Sequence, residues 1–200
     1  MKSFLIGLGC LAAAQVFATQ AQAVTITFDD LANGAEVTNQ YAGVTFSSQA
    51  GSRILTTAQD FDTSLPNFIC SGTVSINCVD DVYLDFDFGV SGLSFLAVGD
   101  NNVGDVGDVR VFSGLSLLGT VDLIMDGNPS GAPHLIDLGA FTNVTRIEIV
   151  DMIDAAGLGY DDFTFTPGDT VVPEPSTWAM LILGFGLAGG VLRRRQFALA

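Results

Sequence analysis

The sequence predicts an all-β fold, and three observations support that prediction. From residue 24 to residue 166, short segments alternate apolar and polar residues. Gly, Asn, Asp and Ser interrupt these segments about every ten residues, and no long stretch keeps a helical period. Regularly spaced short strands of this kind favour a two-sheet β-sandwich, here of the jelly-roll type.

The alternation is clearest from Val82 to Phe88, where every second residue is apolar and Tyr83, Asp85 and Asp87 stand between them. One face of such a strand packs on the core and the other meets solvent. The 15 phenylalanines lie mostly at alternating strand positions, which predicts core packing for them. The predicted strands are Val24–Phe28, Gly43–Ser47, Arg53–Thr57, Thr73–Val79, Val82–Phe88, Leu93–Val98, Val109–Ser113, Leu117–Leu123, His134–Leu138, Thr145–Val150 and Phe163–Thr166.

Charge restricts the partners of this domain. The chain has 22 acidic and seven basic residues, and its formal net charge is −15. Of the seven basic residues, three lie outside the two terminal segments, namely Arg53, Arg110 and Arg146. Because phosphate contacts need clustered Lys and Arg, we predict no nucleic-acid partner. Cations are the natural small ligands, although an acidic surface also serves solubility alone.

The first 23 residues indicate a secretory signal peptide. Lys2 precedes an apolar run from Phe4 to Ala14, and Ala21-Gln22-Ala23 has the small-x-small pattern of a signal peptidase site. Cleavage after Ala23 would start the mature chain at Val24, and cleavage after an earlier alanine is the alternative. We therefore expect export across the inner membrane.

The cysteines divide into one in the signal peptide and one pair. Lipoprotein processing at Cys10 is disfavoured because Gly7 stands where such sites carry a branched apolar residue. Cys70 and Cys78 then form an even pair in an exported chain, for which a disulfide is the default. The alternative is a paired-thiolate metal site, which would lack further soft ligands in a chain with one histidine.

The carboxyl end is a tripartite tail. A linker over 167–172 is followed by Pro173-Glu174-Pro175, by an apolar run predicted as a transmembrane helix over 177–192, and by Arg193-Arg194-Arg195. A helix of that length spans about 24 Å, and arginine snorkelling with local thinning lets it cross a bilayer. Since clustered arginines stay on the cytoplasmic side, we predict an N-out, C-in anchor.

This tail resembles the PEP-CTERM sorting signal of Gram-negative bacteria, which is also catalogued as an ice-binding protein C-terminal motif. The resemblance rests on residues 172–180, Val-Pro-Glu-Pro-Ser-Thr-Trp-Ala-Met, and on the Gly-rich apolar stretch and arginines that follow. It implies that an exosortase in the inner membrane recognises residues 173–195 and cleaves near Pro-Glu-Pro. The protein would then pass to exopolysaccharide, at the cell surface or outside the cell.

Two further segments, Thr27–Leu31 and Tyr160–Phe165, are similar to the first and last strands of galactose-binding-like or carbohydrate-module-like sandwiches. This resemblance is at the level of the fold and implies a sandwich over residues 24–166 rather than a ligand. Stacking on a sugar would draw on Tyr41, Tyr83 or Tyr160, since the one tryptophan lies in the tail. The sequence support for a sugar platform is therefore weak.

The Asp29-Asp30 and Asp161-Asp162 pairs predict a structural Ca²⁺ site. One pair follows the first predicted strand and the other precedes the last, and sandwiches often bring their terminal strands side by side. Neighbouring strand residues point to opposite faces, so one Asp of each pair would enter a shared site unless a bulge breaks the alternation. Two carboxylates with backbone carbonyls would form an oxygen cage. The alternative is that each pair only begins or ends a strand in solvent.

Catalytic chemistry has little support in the sequence. His134 is the one histidine and no Gly-x-Ser-x-Gly motif occurs, which disfavours a catalytic triad. The acidic run from Asp100 to Asp108 matches no calcium-loop motif strictly and favours a polar turn. A polysaccharide-acting glycoside hydrolase or lyase stays the alternative, because it needs only two carboxylates.

These features predict a non-catalytic binding or structural module of the cell surface or extracellular matrix, with no catalytic residue assigned. Its expected partners are signal peptidase, an exosortase-type processing enzyme, the inner membrane, and exopolysaccharide or another glycan. Ca²⁺ is the one cofactor that the sequence suggests.

Overall fold

The fold is all-β, as predicted. The computed structural model describes residues 21–58, 61–73, 77–128, 132–168, 180 and 182–185. The strands of this described part are β1 (Val24–Ile26), β2 (Val44–Ser47), β3 (Arg53–Ala58), β4 (Asn67–Gly72), β5 (Val82–Val98), β6 (Val103–Ser113), β7 (Ser116–Asp126), β8 (His134–Asp137), β9 (Val144–Val150) and β10 (Gly159–Pro167).

Strand β5 organises the fold because its two halves have different neighbours. Its first half lies between β2 and β9, and its second half lies between β10 and β8, all antiparallel. From β9 the first group continues to β6 and β7, and from β10 the second continues to β4 and β3. The register with β9 shifts between Asp85 and Val90, where β5 passes from one group to the other.

The two groups of strands pack face to face through aromatic side chains. Phe46 of β2 lies edge-on to Phe28 and to Phe163 of β10, with ring centroids 5.4 and 5.9 Å apart. Phe86, on the first half of β5, meets Phe165 of β10 at 5.2 Å. A single large hydrophobic cluster therefore lies between two layers, which is the arrangement of a β-sandwich.

Two predicted strand boundaries are wrong. The strands predicted on either side of the Gly89–Gly92 turn are one continuous strand, β5. Of the strand predicted at Thr73–Val79, residues 73 and 77–79 are not in a strand and residues 74–76 lie outside the described part, whereas β4 precedes them and ends at Gly72. All six residues of β4 are buried, so its sequence carries no alternation of apolar and polar residues.

The first and last strands are neighbours. Val24 pairs with Phe165 and Ile26 pairs with Phe163. The predicted cleavage residues Ala21 and Ala23 precede β1 in exposed, irregular chain, whereas residues 1–20 lie outside the described part. The signal peptide therefore stays a prediction.

Most of the predicted tail lies outside the described residues. Met180 and Ile182–Phe185 are helical. Within the part of the chain that the structure describes, no helix has the length and apolar character needed to cross a membrane. The transmembrane helix over 177–192, the Pro173-Glu174-Pro175 segment and Arg193–Arg195 are thus not placed by the structure.

Candidate functional site

The two Asp-Asp pairs lie at the end of the domain where β1 stops and β10 starts. Strand β1 ends at Ile26, opposite Phe163, so antiparallel pairing carries the residues that follow toward Asp161 and Asp162. We call Asp29, Asp30, Asp161 and Asp162 the terminal-strand cluster.

A bulge in β10 breaks the alternation at this cluster. The register between β10 and β5 shifts between Asp161 and Thr164, and Asp162 has a φ of 51°. Asp161 is fully buried and Asp162 is half-buried. Because the bulge removes the strict two-face pattern, both carboxylates can serve one site.

The loop before β4 and the first residue of β4 join the two Asp pairs. Ser64 donates its hydroxyl to Asp161 Oδ2 at 3.2 Å and its backbone N–H to Asp162 Oδ2 at 3.4 Å. Asn67 donates its backbone N–H to Asp29 Oδ1 at 3.0 Å. Sequence reasoning missed Ser64 and Asn67, since no local motif marks a loop that packs between distant strands.

Asn67 also holds an unused acceptor. Its side-chain Nδ2 donates to the backbone carbonyls of Phe28 at 3.2 Å and Leu31 at 2.8 Å. Its Oδ1 is buried and has no hydrogen-bond partner among the described residues. A buried amide oxygen without a donor is costly, and it is also a ligand type that Ca²⁺ accepts.

The environment of Asp161 opposes its charge. Burial raises the pKa of this carboxyl from 3.8 to about 7, although hydrogen bonds from Thr63, from the Asp162 N–H and from Ser64 lower it, and the charge of Asp162 raises it. A cation at this position would favour the ionised form. The carboxylate therefore suits a site that holds a positive charge.

Tyr41 interacts with three acids of the cluster. Its hydroxyl donates to Asp30 Oδ1 at 2.7 Å. Burial raises the pKa of Tyr41 above its ordinary value, and the hydrogen bond to Asp30 and the charges of Asp30, Asp29 and Asp161 add to that shift. Asp30 is exposed and bonded to Tyr41, so Asp29, Asp161 and Asp162 form the more buried side of the cluster.

The terminal-strand cluster is not a closed cage of carboxylates. In the described ranges, one group of at least three His, Cys, Asp or Glu ligand atoms lies within 4.8 Å, and it consists of Asp100, Asp126 and His134. An ion at the terminal strands would thus need further oxygens besides carboxylates, for which the sequence prediction named backbone carbonyls.

The acidic run from Asp100 to Asp108 is a turn that passes into β6. Buried Asp154 orders this turn, because its Oδ2 accepts the backbone N–H groups of Asn101 at 2.6 Å and Asn102 at 3.0 Å. The arrangement agrees with the predicted polar turn up to Asn102, and strand β6 starts at Val103.

Cys70 and Cys78 form the predicted disulfide, with Cα atoms 4.8 Å apart. Cys70 belongs to β4, and the Cys78 carbonyl accepts the N–H of Leu158 at 3.0 Å. The bond lies beside a cleft of about 220 Å³ whose lining includes Phe61 and Phe68. The two sulfurs are therefore not available as thiolate metal ligands.

The tail of the chain matches a known sorting signal. Residues 171–196 match the PEP-CTERM protein-sorting motif. The chain therefore carries a PEP-CTERM sorting motif at its carboxyl end. This match confirms the resemblance seen at residues 172–180. The motif indicates export and transient membrane anchoring through the exosortase route, which ends at the cell surface.

No curated protein sequence matches this chain. Among solved structures, it is similar to the K1 cleaved adhesin domain of Lys-gingipain from Porphyromonas gingivalis W83, with 14% identity, 74% of this chain and 99% of that chain covered, and a TM-score of 0.44. It is also similar to a family 35 carbohydrate binding module from Clostridium thermocellum, with 11% identity, coverage of 74% and 100%, and a TM-score of 0.38. A CBM35 from Paenibacillus barcinonensis gives 12% identity, coverage of 72% and 99%, and a TM-score of 0.36.

Proposed function

We propose that this PEP-CTERM protein is a non-catalytic binding or structural module that an exosortase-type enzyme delivers to exopolysaccharide at the cell surface or outside the cell. The match of residues 171–196 to the sorting motif is the observation that carries the proposal. Signal peptidase would release the amino end at Ala23, and the arginine cluster would hold the tail N-out, C-in before cleavage near Pro173-Glu174-Pro175.

The position of the two chain ends supports this route. Strand β1 pairs with β10, so the segment freed by signal peptidase and the segment that leads to the tail leave from neighbouring strands. At Gly168 the backbone N–H still bonds to the carbonyl of Gly89 at 2.6 Å. The sandwich therefore continues into the first two residues of the predicted linker. The sorting residues start only five positions after Gly168, at Pro173.

A structural Ca²⁺ ion at the terminal-strand cluster is part of the proposal. Asp29, Asp161 and Asp162 would supply carboxylate oxygens, and the unpartnered Oδ1 of Asn67 would supply an amide oxygen. The ion would neutralise a buried acid and fix the loop after β1 against β10. Its role would be to hold the domain together beside the tail.

The polysaccharide-acting enzyme stays a second candidate because of the pKa of Asp161, which burial raises to about 7. Such a pKa suits a general acid. The general acid of a glycosidase must contact the leaving-group oxygen of the substrate, however, and Asp161 has no exposed surface. The geometry therefore favours the non-catalytic proposal.

Cell fractionation of sorting variants tests the proposed route. Replacement of Pro173, Glu174 and Pro175 by alanine should leave the full-length protein in the inner membrane, because the exosortase would lose its recognition segment. Deletion from Trp178 onward should make the protein soluble. The matched control replaces the linker residues Asp169 and Thr170 by alanine and should be sorted normally. Release of the Pro-Glu-Pro variant at the normal level would contradict the proposal.

A glycan array separates binding from catalysis. The purified protein is screened with Ca²⁺ and with EGTA, and hydrolysis is followed on every glycan that it binds. Binding without hydrolysis would support a binding module, and hydrolysis would support the enzyme. An absence of both would leave a structural role in the matrix.

A further inference from the structure

Three side chains of the types that bind metal ions lie close together beside the turn that joins β5 to β6. Asp100 lies in that turn, Asp126 is the last residue of β7, and His134 is the first residue of β8. Strand pairing explains their proximity, because His134 pairs with Ala97 on β5 and Asp126 pairs with Val103 on β6. His134 and Asp126 thus lie on β8 and β7, which pair with the two strands that the turn connects.

The distances between their ligand atoms suit a tetrahedral ion. His134 Nε2 lies 3.6 Å from Asp100 Oδ1 and 3.5 Å from Asp126 Oδ1. One ligand atom from each of the three residues lies within 4.8 Å of the others. Ligands bound tetrahedrally at about 2.1 Å from zinc are about 3.4 Å apart. The separations from His134 are close to this value and longer than ordinary hydrogen bonds.

The two carboxylates are held by backbone amides, and the imidazole nitrogen between them has no hydrogen bond. Asp100 is 1% exposed, and its Oδ2 accepts the N–H of Gly127. Asp126 Oδ1 accepts the N–H of Asn128 at 2.9 Å. His134 Nε2 is buried and has no hydrogen-bond partner in the described part of the chain. A buried nitrogen that forms no hydrogen bond and lies 3.5 to 3.6 Å from two carboxylate oxygens is an environment that suits a metal ligand.

We propose that Asp100, Asp126 and His134 bind a divalent transition-metal ion, with Zn²⁺ as the reference ion. Imidazole and carboxylate ligands suit zinc, whereas Ca²⁺ takes six to eight oxygens and rarely accepts nitrogen. Two carboxylates offset the charge of the ion. Three protein ligands leave a fourth position for water, and the 58% exposed side chain of Asp126 provides a path from solvent.

This site is independent of the terminal-strand cluster and of the proposed sorting route. It would cross-link the β5–β6 turn to the end of β7 and the start of β8. The competing account is an ion pair between protonated His134 and the two carboxylates, which needs no metal. The two accounts differ in whether zinc binds and in whether binding depends on His134.

Isothermal titration of the full chain with ZnCl₂ tests the proposal. The protein is produced without a histidine tag and kept in millimolar Ca²⁺, so that the terminal-strand cluster does not compete. The wild type should bind one Zn²⁺ per chain, and His134→Ala should weaken binding at least about 100-fold. Asp122→Asn removes an exposed carboxylate of β7 and serves as the matched control, with binding unchanged.

A second readout covers variants that fail to fold. Because His134 is the one histidine of the chain, its imidazole C–H signals in NMR report the site without ambiguity. With Zn²⁺ these signals should move to new positions as one ion per chain is added, and Co²⁺ in place of zinc should give a tetrahedral visible spectrum. Absence of zinc binding, or binding that survives His134→Ala, would overturn the proposal in favour of the ion pair.

Discussion

At the scale of single residues, the buried acids differ in what compensates their charge. Asp154 accepts backbone N–H groups from Asn101, Asn102 and Ala156 and so orders a turn. Asp100 accepts one backbone N–H and faces His134. The carboxylate of Asp161 accepts the Ser64 hydroxyl and the neighbouring N–H, and burial still raises its pKa to about 7. It is therefore the buried acid that has most to gain from a bound cation.

Replacement of Asp161 by asparagine should stabilise the calcium-free protein at pH 8. A carboxyl whose pKa rises from 3.8 to about 7 holds its proton more tightly in the folded chain. Its contribution to stability is full below about pH 4 and is lost as the pH rises through 7. Asparagine has no proton to lose. Urea unfolding in EGTA should show that the advantage of the variant is larger at pH 8 than at pH 5.

The same variant should lose the response to calcium. The wild type should gain about 2.7 kcal/mol of unfolding free energy when Ca²⁺ is at 100 times its Kd, and Asp161→Asn should gain much less. Asp122→Asn, which changes an exposed acid on β7, should respond like the wild type. A calcium response of equal size in all three proteins would rule out Asp161 as a ligand.

At the scale of elements, period-two patterns located most strands. They divided β5, whose neighbours change along its length, and they missed β4, which is buried throughout. Strand β5 was predicted as two strands because Gly89 and Gly92 resemble a turn, yet backbone pairing with β10 continues through Val90 and Ser91. Strand β4 was missed because it is buried on both faces and has no polar side to alternate with. A single strand's pattern reports its two faces, and it does not report which strands lie beside it.

The turn before β10 depends on a glycine. Gly157 has a φ of 71°, and a Cβ there would overlap the backbone carbonyl of Cys78. Gly34 has a φ of 78° and nothing within 4 Å of such a Cβ. Gly34→Ala should therefore lose about 1 kcal/mol from conformational strain alone, and Gly157→Ala should lose clearly more.

Urea unfolding of the two glycine variants measures this difference. Since both substitutions change backbone freedom in the unfolded chain equally, the excess loss in Gly157→Ala reports the packing of the turn against Cys78. Equal losses in the two variants would mean that the turn shifts away from Cys78 at little cost.

At the scale of the whole molecule, the first and last strands of the domain are neighbours. Strand β1 begins at Val24, directly after the predicted signal peptidase site, and pairs with the strand that leads to the sorting tail. Cleavage after Ala23 would therefore leave the full strand β1 in place.

Intact-mass measurement of the exported protein should place its first residue at Val24. Signal peptidase requires a small residue before the cut, so Ala23→Leu should cause the precursor to accumulate. Gln22→Leu changes the middle position of the same site and should be processed normally. A first residue at 19 or 22 would show that the enzyme uses an earlier alanine.

The sequence by itself determined the all-β class, the disulfide and the sorting motif of this protein. Each rests on a local signal: alternation along a strand, an even cysteine pair, or a contiguous tail. The tertiary structure decided the rest of the candidate sites. It brought Ser64 and Asn67 between the two Asp pairs, and it placed His134 beside Asp100 and Asp126. Those groupings depend on which strands pair and in which register. Long-range packing sets the pairing and the register, and the spacing of residues along the chain does not reveal them.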